Sequence, residues 1–68
     1  MDRYYVNRTP QNNGDHEVHK RGCQWLARAL STLDLGLHAG CRTAVAEARR
    51  HYPQSNGCIY CSRECHTS

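Results

Sequence analysis

Three short stretches of the chain combine apolar and β-branched residues with polar neighbours at a strand-like spacing. They are residues 3–8 (RYYVNR), residues 16–20 (HEVHK) and residues 33–38 (LDLGLH). Between the first two, residues 9–15 (TPQNNGD) carry Pro and Asn-Asn-Gly, which is turn chemistry. We therefore expect the first two stretches to pair as a hairpin. The third should present its leucines on one apolar face.

A helical period predicts the main helix over residues 42–51. The apolar positions recur at i, i+4, i+7 and i+11, and they are Cys41, Val45, Ala48 and Tyr52. Positive charge in the last turn suits the negative end of a helix dipole, and Pro53 disfavours helix at the residue before it. Residues 23–30 (CQWLARAL) predict a further turn or two of helix, and the tail SRECHTS predicts one turn.

Together these elements predict an α+β fold for a single domain over residues 1–68. We expect a two- or three-stranded antiparallel sheet packed on one main helix. Apolar residues are only 38% of the chain and Phe is absent, so the core should be thin. Domains of this size usually need disulfides or a structural metal in addition to their core.

Five cysteines are the candidates for that extra stabilisation. An odd number cannot pair completely within one chain, and the first twenty residues contain no apolar run typical of a signal peptide. No stretch is long enough to span a bilayer. We therefore expect a cytoplasmic protein whose thiols bind metal rather than form disulfides.

Two pairs of donors have the spacing of a metal site. His19 and Cys23 are separated by three residues, and Cys58 and Cys61 by two. Zinc prefers four nitrogen or sulfur donors at the corners of a tetrahedron. We therefore predict a Zn²⁺ site formed by His19, Cys23, Cys58 and Cys61.

Other roles for these residues remain open at this point. Cys58 and Cys61 could form a disulfide, and Cys23 could be a small buried hydrophobe beside Trp25. If His19 is a surface residue, Cys65 or His66 is the alternate fourth ligand. For Cys41, which lies on the apolar stripe of the helix, we expect buried packing.

These motifs resemble the Ada-type metal-binding domain of DNA-repair methyltransferases over about residues 17–61. The matching features are the HKRGCQWL run at 19–26, the strand before Cys41, the helix with Ala44 and Ala48, and the GCIYC ending at 57–61. Short uncharacterised bacterial proteins share a similar ending. The resemblance implies the scaffold, the zinc and contact with DNA.

One position departs from that family. Ada domains ligate zinc with four cysteines, the first of which accepts a methyl group from a damaged DNA phosphate. His19 occupies that position here. An imidazole can ligate zinc but is not the thiolate nucleophile that this reaction requires, so the departure argues against methyl transfer.

The mildly basic charge of the chain is compatible with a nucleic-acid partner but does not require one. The net charge is +3, and eight of the nine basic residues are Arg. The candidate phosphate contacts lie on the predicted main helix and are Arg42, Arg49 and Arg50. The alternative is that these arginines simply form a solvated face of the helix.

Three function classes follow from the sequence. The first is a structural zinc module that binds nucleic acid or a protein partner, with no membrane and no small-molecule substrate. The second is a zinc hydrolase, in which Glu17 or Glu64 would be the general base and no side chain has a predicted nucleophilic role. The third is metal handling or redox chemistry by the donors of the tail, which are Cys58, Cys61, Cys65 and His66.

Overall fold

The computed structural model describes residues 1–67, which form an α+β fold with a mixed sheet and one main helix. The elements in chain order are β1 (Asp2–Asn7), β2 (His16–Lys20), α1 (Gln24–Ala27), β3 (Thr32–His38), α2 (Cys41–His51), β4 (Ser55–Gly57) and a 3₁₀ helix (Arg63–Cys65). The α+β class is confirmed. Each predicted strand and helix is present, with boundaries shifted by a few residues.

The sheet has four strands in the order β3-β1-β2-β4, rather than the two or three expected. β1 pairs antiparallel with both β2 and β3, so the predicted hairpin is confirmed. β4 pairs in parallel with β2, which makes the sheet mixed. The sequence of β4 is Ser-Asn-Gly, typical of a turn. Its extended conformation depends on pairing with a strand about forty residues earlier, which local sequence does not encode.

A β-bulge changes which leucines of β3 face the core. Leu33 lies opposite Val6 and Leu37 lies opposite Arg3, while the register shifts between Tyr4 and Tyr5. Because one extra residue reverses the alternation of side chains, Leu37 moves to the sheet face that carries Arg3 and is 57% exposed. The prediction of one apolar face along the whole strand is therefore wrong at Leu37.

The hydrophobic core lies between one face of the sheet and α2. Its strand residues are Tyr4, Val6, Val18 and Leu35, and its helix residues are Cys41, Ala44, Val45 and Ala48. The predicted helical stripe is confirmed, with Tyr52 packed at its edge. All the buried helix residues are small, so α2 can approach the sheet closely but contributes little apolar area.

A disulfide joins Cys41, the first residue of α2, to Cys65 in the 3₁₀ helix. Cys41 is buried as expected, but it is not a free thiol. The bond also explains the odd cysteine count, because the three remaining cysteines are those of the predicted metal site. The expectation that the thiols bind metal rather than form disulfides is therefore wrong for this pair. Reducing compartments rarely maintain such bonds, so the cysteines no longer support a cytoplasmic location.

Within residues 1–67, no helix combines the length and the apolar character needed to cross a membrane.

Candidate metal centre

The structure brings together the four residues of the predicted metal site. One ligand atom from each of His19, Cys23, Cys58 and Cys61 lies within 4.8 Å of all the others. Nδ1 of His19 is 3.7 Å from Sγ of Cys23 and 3.8 Å from Sγ of Cys61. In a tetrahedral site with metal–sulfur bonds of about 2.3 Å, ligand atoms are separated by roughly 3.5–3.8 Å. The cluster could therefore hold a metal ion.

His19 is positioned by the alternation of side chains along β2. Val18 points into the core under α2, so His19 points to the opposite face of the sheet. The imidazole is 1% exposed, and this burial lowers the pKa of His19. Burial therefore favours the neutral imidazole, which is the form that ligates metals.

Glu17 lies two residues before His19 and therefore on the same face of β2. Its Oε1 is 3.5 Å from Nε2 of His19, the ring nitrogen that does not face the thiols. Burial raises the pKa of Glu17, while a hydrogen bond from Gln11 acts against that shift. A carboxylate on the second nitrogen is one of the usual partners that orient a metal-binding histidine.

A turn after β2 returns Cys23 to the side of His19. The amide of Cys23 donates to the carbonyl of Lys20 at 3.1 Å, and Gly22 within the turn has a φ of 93°. That left-handed conformation is one that glycine adopts at little cost. Burial acts to raise the pKa of Cys23, but hydrogen bonds with the Cys61 thiol and with the amides at the start of α1 lower it overall.

The Cys-x-x-Cys turn is held against β2 at both of its cysteines. The amide of Cys58 donates to the carbonyl of Val18 at 2.9 Å, directly after β4 ends. The amide of Lys20 donates to Sγ of Cys61 at 3.3 Å. Burial raises the pKa of the Cys58 thiol, and it raises the pKa of Cys61 to about 12. A metal ion that binds here must displace those thiol protons.

Gly57 lets the chain after the turn pack against β4. A Cβ at this position would lie 2.7 Å from the carbonyl oxygen of Ser62 and 2.8 Å from Cβ of Cys65. No side chain fits at these distances without a backbone shift. Close packing therefore requires the glycine that precedes the Cys-x-x-Cys turn, residues 58–61, here called the knuckle.

The two alternate ligands lie outside the cluster of four. Cys65 is bonded to Cys41, and Nδ1 of His66 is 3.0 Å from the carbonyl oxygen of Gly57. The four tail donors proposed for metal handling are therefore separated. Cys58 and Cys61 belong to the cluster, whereas Cys65 forms the disulfide and His66 contacts the backbone.

Neither candidate general base has the geometry of a base beside an open metal position. Glu64 is an exposed residue of the 3₁₀ helix, and Glu17 contacts His19.

The three candidate nucleic-acid contacts are exposed on α2, which packs on the sheet face opposite His19. Nη1 of Arg50 is 3.1 Å from Oε1 of Glu47, and Nε of Arg49 donates to the carbonyl of Ser55 at 3.2 Å. The side chain of Arg42 makes no ion pair or hydrogen bond with the residues described. Two of the three are therefore partly engaged within the domain.

Two contacts at the site were not predicted from the sequence. The spacing of Glu17 and His19 in a strand was a usable signal, because residues i and i+2 share a face. The stacking of Trp25 on Tyr60 joins positions 35 residues apart, with ring centroids 5.4 Å from each other. No local pattern indicates that pair.

A comparison with models of protein families, with curated proteins and with solved structures finds no match to this chain. The similarity to the Ada-type domain consequently stays a prediction based on short motifs.

Proposed function

We propose that the chain is a structural zinc-binding module that serves as a binding domain. The observation that carries this proposal is the convergence of four donor atoms, three sulfurs and one imidazole nitrogen, within 4.8 Å of one another. Sulfur-rich tetrahedral sites favour Zn²⁺ among the common divalent ions. With three thiolates and a neutral imidazole, the site with zinc carries a charge of about −1.

Burial supports a structural role. The largest fully buried side chains among residues 1–67 are His19, Val6, Val18 and Cys58, so two of these four are proposed ligands. The His19 imidazole and the Cys58 thiol are both buried, and polar groups are costly to bury without partners. Zinc would satisfy them and would form a second core on the sheet face opposite α2.

The proposal favours binding over catalysis. A catalytic zinc keeps an open coordination position for water, whereas four protein ligands close the coordination sphere. The formal net charge of +3, which becomes about +2 when the zinc site contributes −1, favours an anionic partner, of which nucleic acid is the one we propose. A steep loss of binding with added salt would support this partner, and a flat salt response would contradict it.

Metal analysis of protein purified without chelators tests the zinc itself. We expect one zinc per chain, lost in Cys58→Ser and retained in a Cys41→Ala/Cys65→Ala double variant, which removes sulfur outside the cluster. Removing the zinc should abolish most of the circular dichroism signal of helix and strand. An unchanged spectrum after complete removal would refute a structural role.

A further inference from the structure

Two stacked aromatic rings, one half-buried and one exposed, lie beside the metal centre. Tyr60 of the knuckle stacks on Trp25 of α1 at an interplanar angle of 28°, and Tyr60 is 66% exposed. Tyr60 directly precedes the ligand Cys61, and Trp25 lies two residues after Cys23. Each ring therefore lies within two residues of a proposed metal ligand.

Stacking, rather than hydrogen bonding, orients Trp25. Its Nε1 is buried and has no hydrogen-bond partner within the part of the chain that the structure describes. The guanidinium carbon of Arg28 lies 4.8 Å from the centre of the indole ring. The ring is therefore held between apolar and cationic contacts, an arrangement that accepts a further planar group at its exposed neighbour.

Two surface depressions meet at Tyr60. One has a volume of about 290 Å³ and is lined by Gln11, Glu17, Trp25, Ile59, Tyr60 and His66. The other has a volume of about 340 Å³ and is lined by Ile59, Tyr60 and Arg63. Tyr60 and Ile59 thus form a ridge with a recess on either side. Each recess is large enough for a planar ring to lie against the ridge.

Two arginines near the ridge, Arg28 and Arg63, make no ion pair with the residues that the structure describes. The acidic residue in the first recess, Glu17, contacts His19. Arg63 lines the recess that does not contain Glu17, and Arg28 lies against Trp25, so each offers a cationic group to a polyanion that stacks at Tyr60.

We propose that Trp25, Arg28, Tyr60 and Arg63, here called the aromatic platform, bind single-stranded nucleic acid. An unpaired base stacks on Tyr60, and the two arginines contact neighbouring phosphates. A duplex is disfavoured because its bases are already stacked and do not offer a free ring face. The inference rests on the proposed binding-module function and places the stacked base beside the metal centre rather than on α2, which carries Arg42, Arg49 and Arg50.

Trp25 is the single tryptophan of the chain and therefore reports directly on the platform. Titration of the metal-loaded protein with oligo-dT and oligo-U should change its fluorescence, and labelled oligonucleotides should show saturable anisotropy. Tyr60→Ala should weaken the affinity by about 5- to 150-fold, the effect expected for one stacked base. Tyr60→Phe, which keeps the ring, should bind like the wild type.

The arginines are tested by salt dependence. Arg28→Ala and Arg63→Ala should each reduce the slope of log affinity against log salt by about 0.7, as expected for one phosphate contact to a single strand. Leu30→Ala, at a residue that is 94% exposed, is the matched control and should leave binding unchanged. Zinc content is measured for every variant, so a failure of the platform is separable from a failure of the metal site.

Three results would overturn the proposal. The first is zinc-loaded protein that binds no oligonucleotide at low salt. The second is binding that prefers duplex, or that depends on Arg42 and Arg49 but not on Tyr60. The third is Tyr60-dependent binding to a protein without any binding to oligonucleotides, which would make the platform a protein-interaction surface.

Discussion

Oε1 of Glu17 lies 3.5 Å from Nε2 of His19, while Nδ1 of the same imidazole faces the thiols of Cys23 and Cys61. This relationship assigns a separate task to each ring nitrogen. Nδ1 is placed to bind a metal, and Nε2–H can be held by a carboxylate, which fixes the tautomer and the orientation of the ring.

Glu17→Gln should therefore weaken zinc binding without abolishing it. The amide is nearly isosteric but lacks the negative charge that makes the imidazole a stronger donor. We expect the zinc affinity, measured by competition with a chromophoric chelator, to fall about 10- to 100-fold. Glu64→Gln, in the exposed 3₁₀ helix, is the control and should keep the wild-type affinity. Equal affinities for both variants would show that Glu17 does not support the ligand.

Gly57→Ala should destabilise the domain. The added methyl group would collide with the Ser62 carbonyl and with Cys65, neither of which is the free end of a flexible side chain. We expect the free energy of unfolding of the metal-loaded protein to fall by about 1–3 kcal/mol in urea. Gly40→Ser is the comparison, because no atom lies within 4 Å of a Cβ there and its φ of −161° suits any residue. Serine is also a favourable helix N-cap, so this variant should be at least as stable as the wild type.

Removal of the disulfide should reduce stability while leaving the zinc in place. Cys41 and Cys65 are 24 residues apart, and closing a loop of that length stabilises a fold by about 3 kcal/mol in the chain-entropy model. The Cys41→Ala/Cys65→Ala double variant should lose free energy of unfolding on that scale but still bind one zinc. Loss of zinc from this variant would mean that the metal centre depends on the disulfide.

Zinc affinity should increase with pH. An unperturbed thiol, with a pKa of about 8.5, is already protonated at neutral pH. Burial raises the pKa of Cys58, and that of Cys61 to about 12, so zinc must displace the protons of both thiols. Each thiol that binds zinc releases its proton, so log affinity should rise by up to about three per pH unit. Calorimetry in buffers of different ionisation enthalpy measures the number of protons released.

Acid should act on the same site through His19. Burial lowers the pKa of His19, so the unfolded chain takes up this proton at a higher pH than the folded chain. The contribution of His19 to stability is therefore lost as the pH falls below the pKa of an unfolded histidine, about 6.5. If the fraction of zinc released is the same at pH 8 and at pH 5, both the prediction for the thiols and the prediction for His19 are wrong.

Some features of the fold could be predicted from neighbouring residues alone. The stripe Cys41, Val45 and Ala48 predicts α2 because helical period and burial depend on residues within one or two turns. Likewise, the two short spacings in His19-x3-Cys23 and Cys58-x2-Cys61 indicate donor pairs, because each pair is arranged by a single local turn.

Other features depend on contacts across the chain. The bulge that turns Leu37 outward depends on the pairing of β3 with β1, and the extended Ser-Asn-Gly of β4 depends on pairing with β2. A strand of three residues is too short to show an alternation of apolar and polar residues, so the turn-forming composition of β4 dominates any prediction from sequence.

By itself, the sequence determined the main helix, the hairpin and the four donors of the candidate metal site, since periodicity and short spacings act locally. Only the tertiary structure decided that Cys65 bonds Cys41 rather than joins those donors, and that Tyr60 meets Trp25. Both decisions bring together residues more than twenty positions apart. The packing of the sheet, α2 and the knuckle determines which of these residues meet. The residues that flank each position do not indicate that packing.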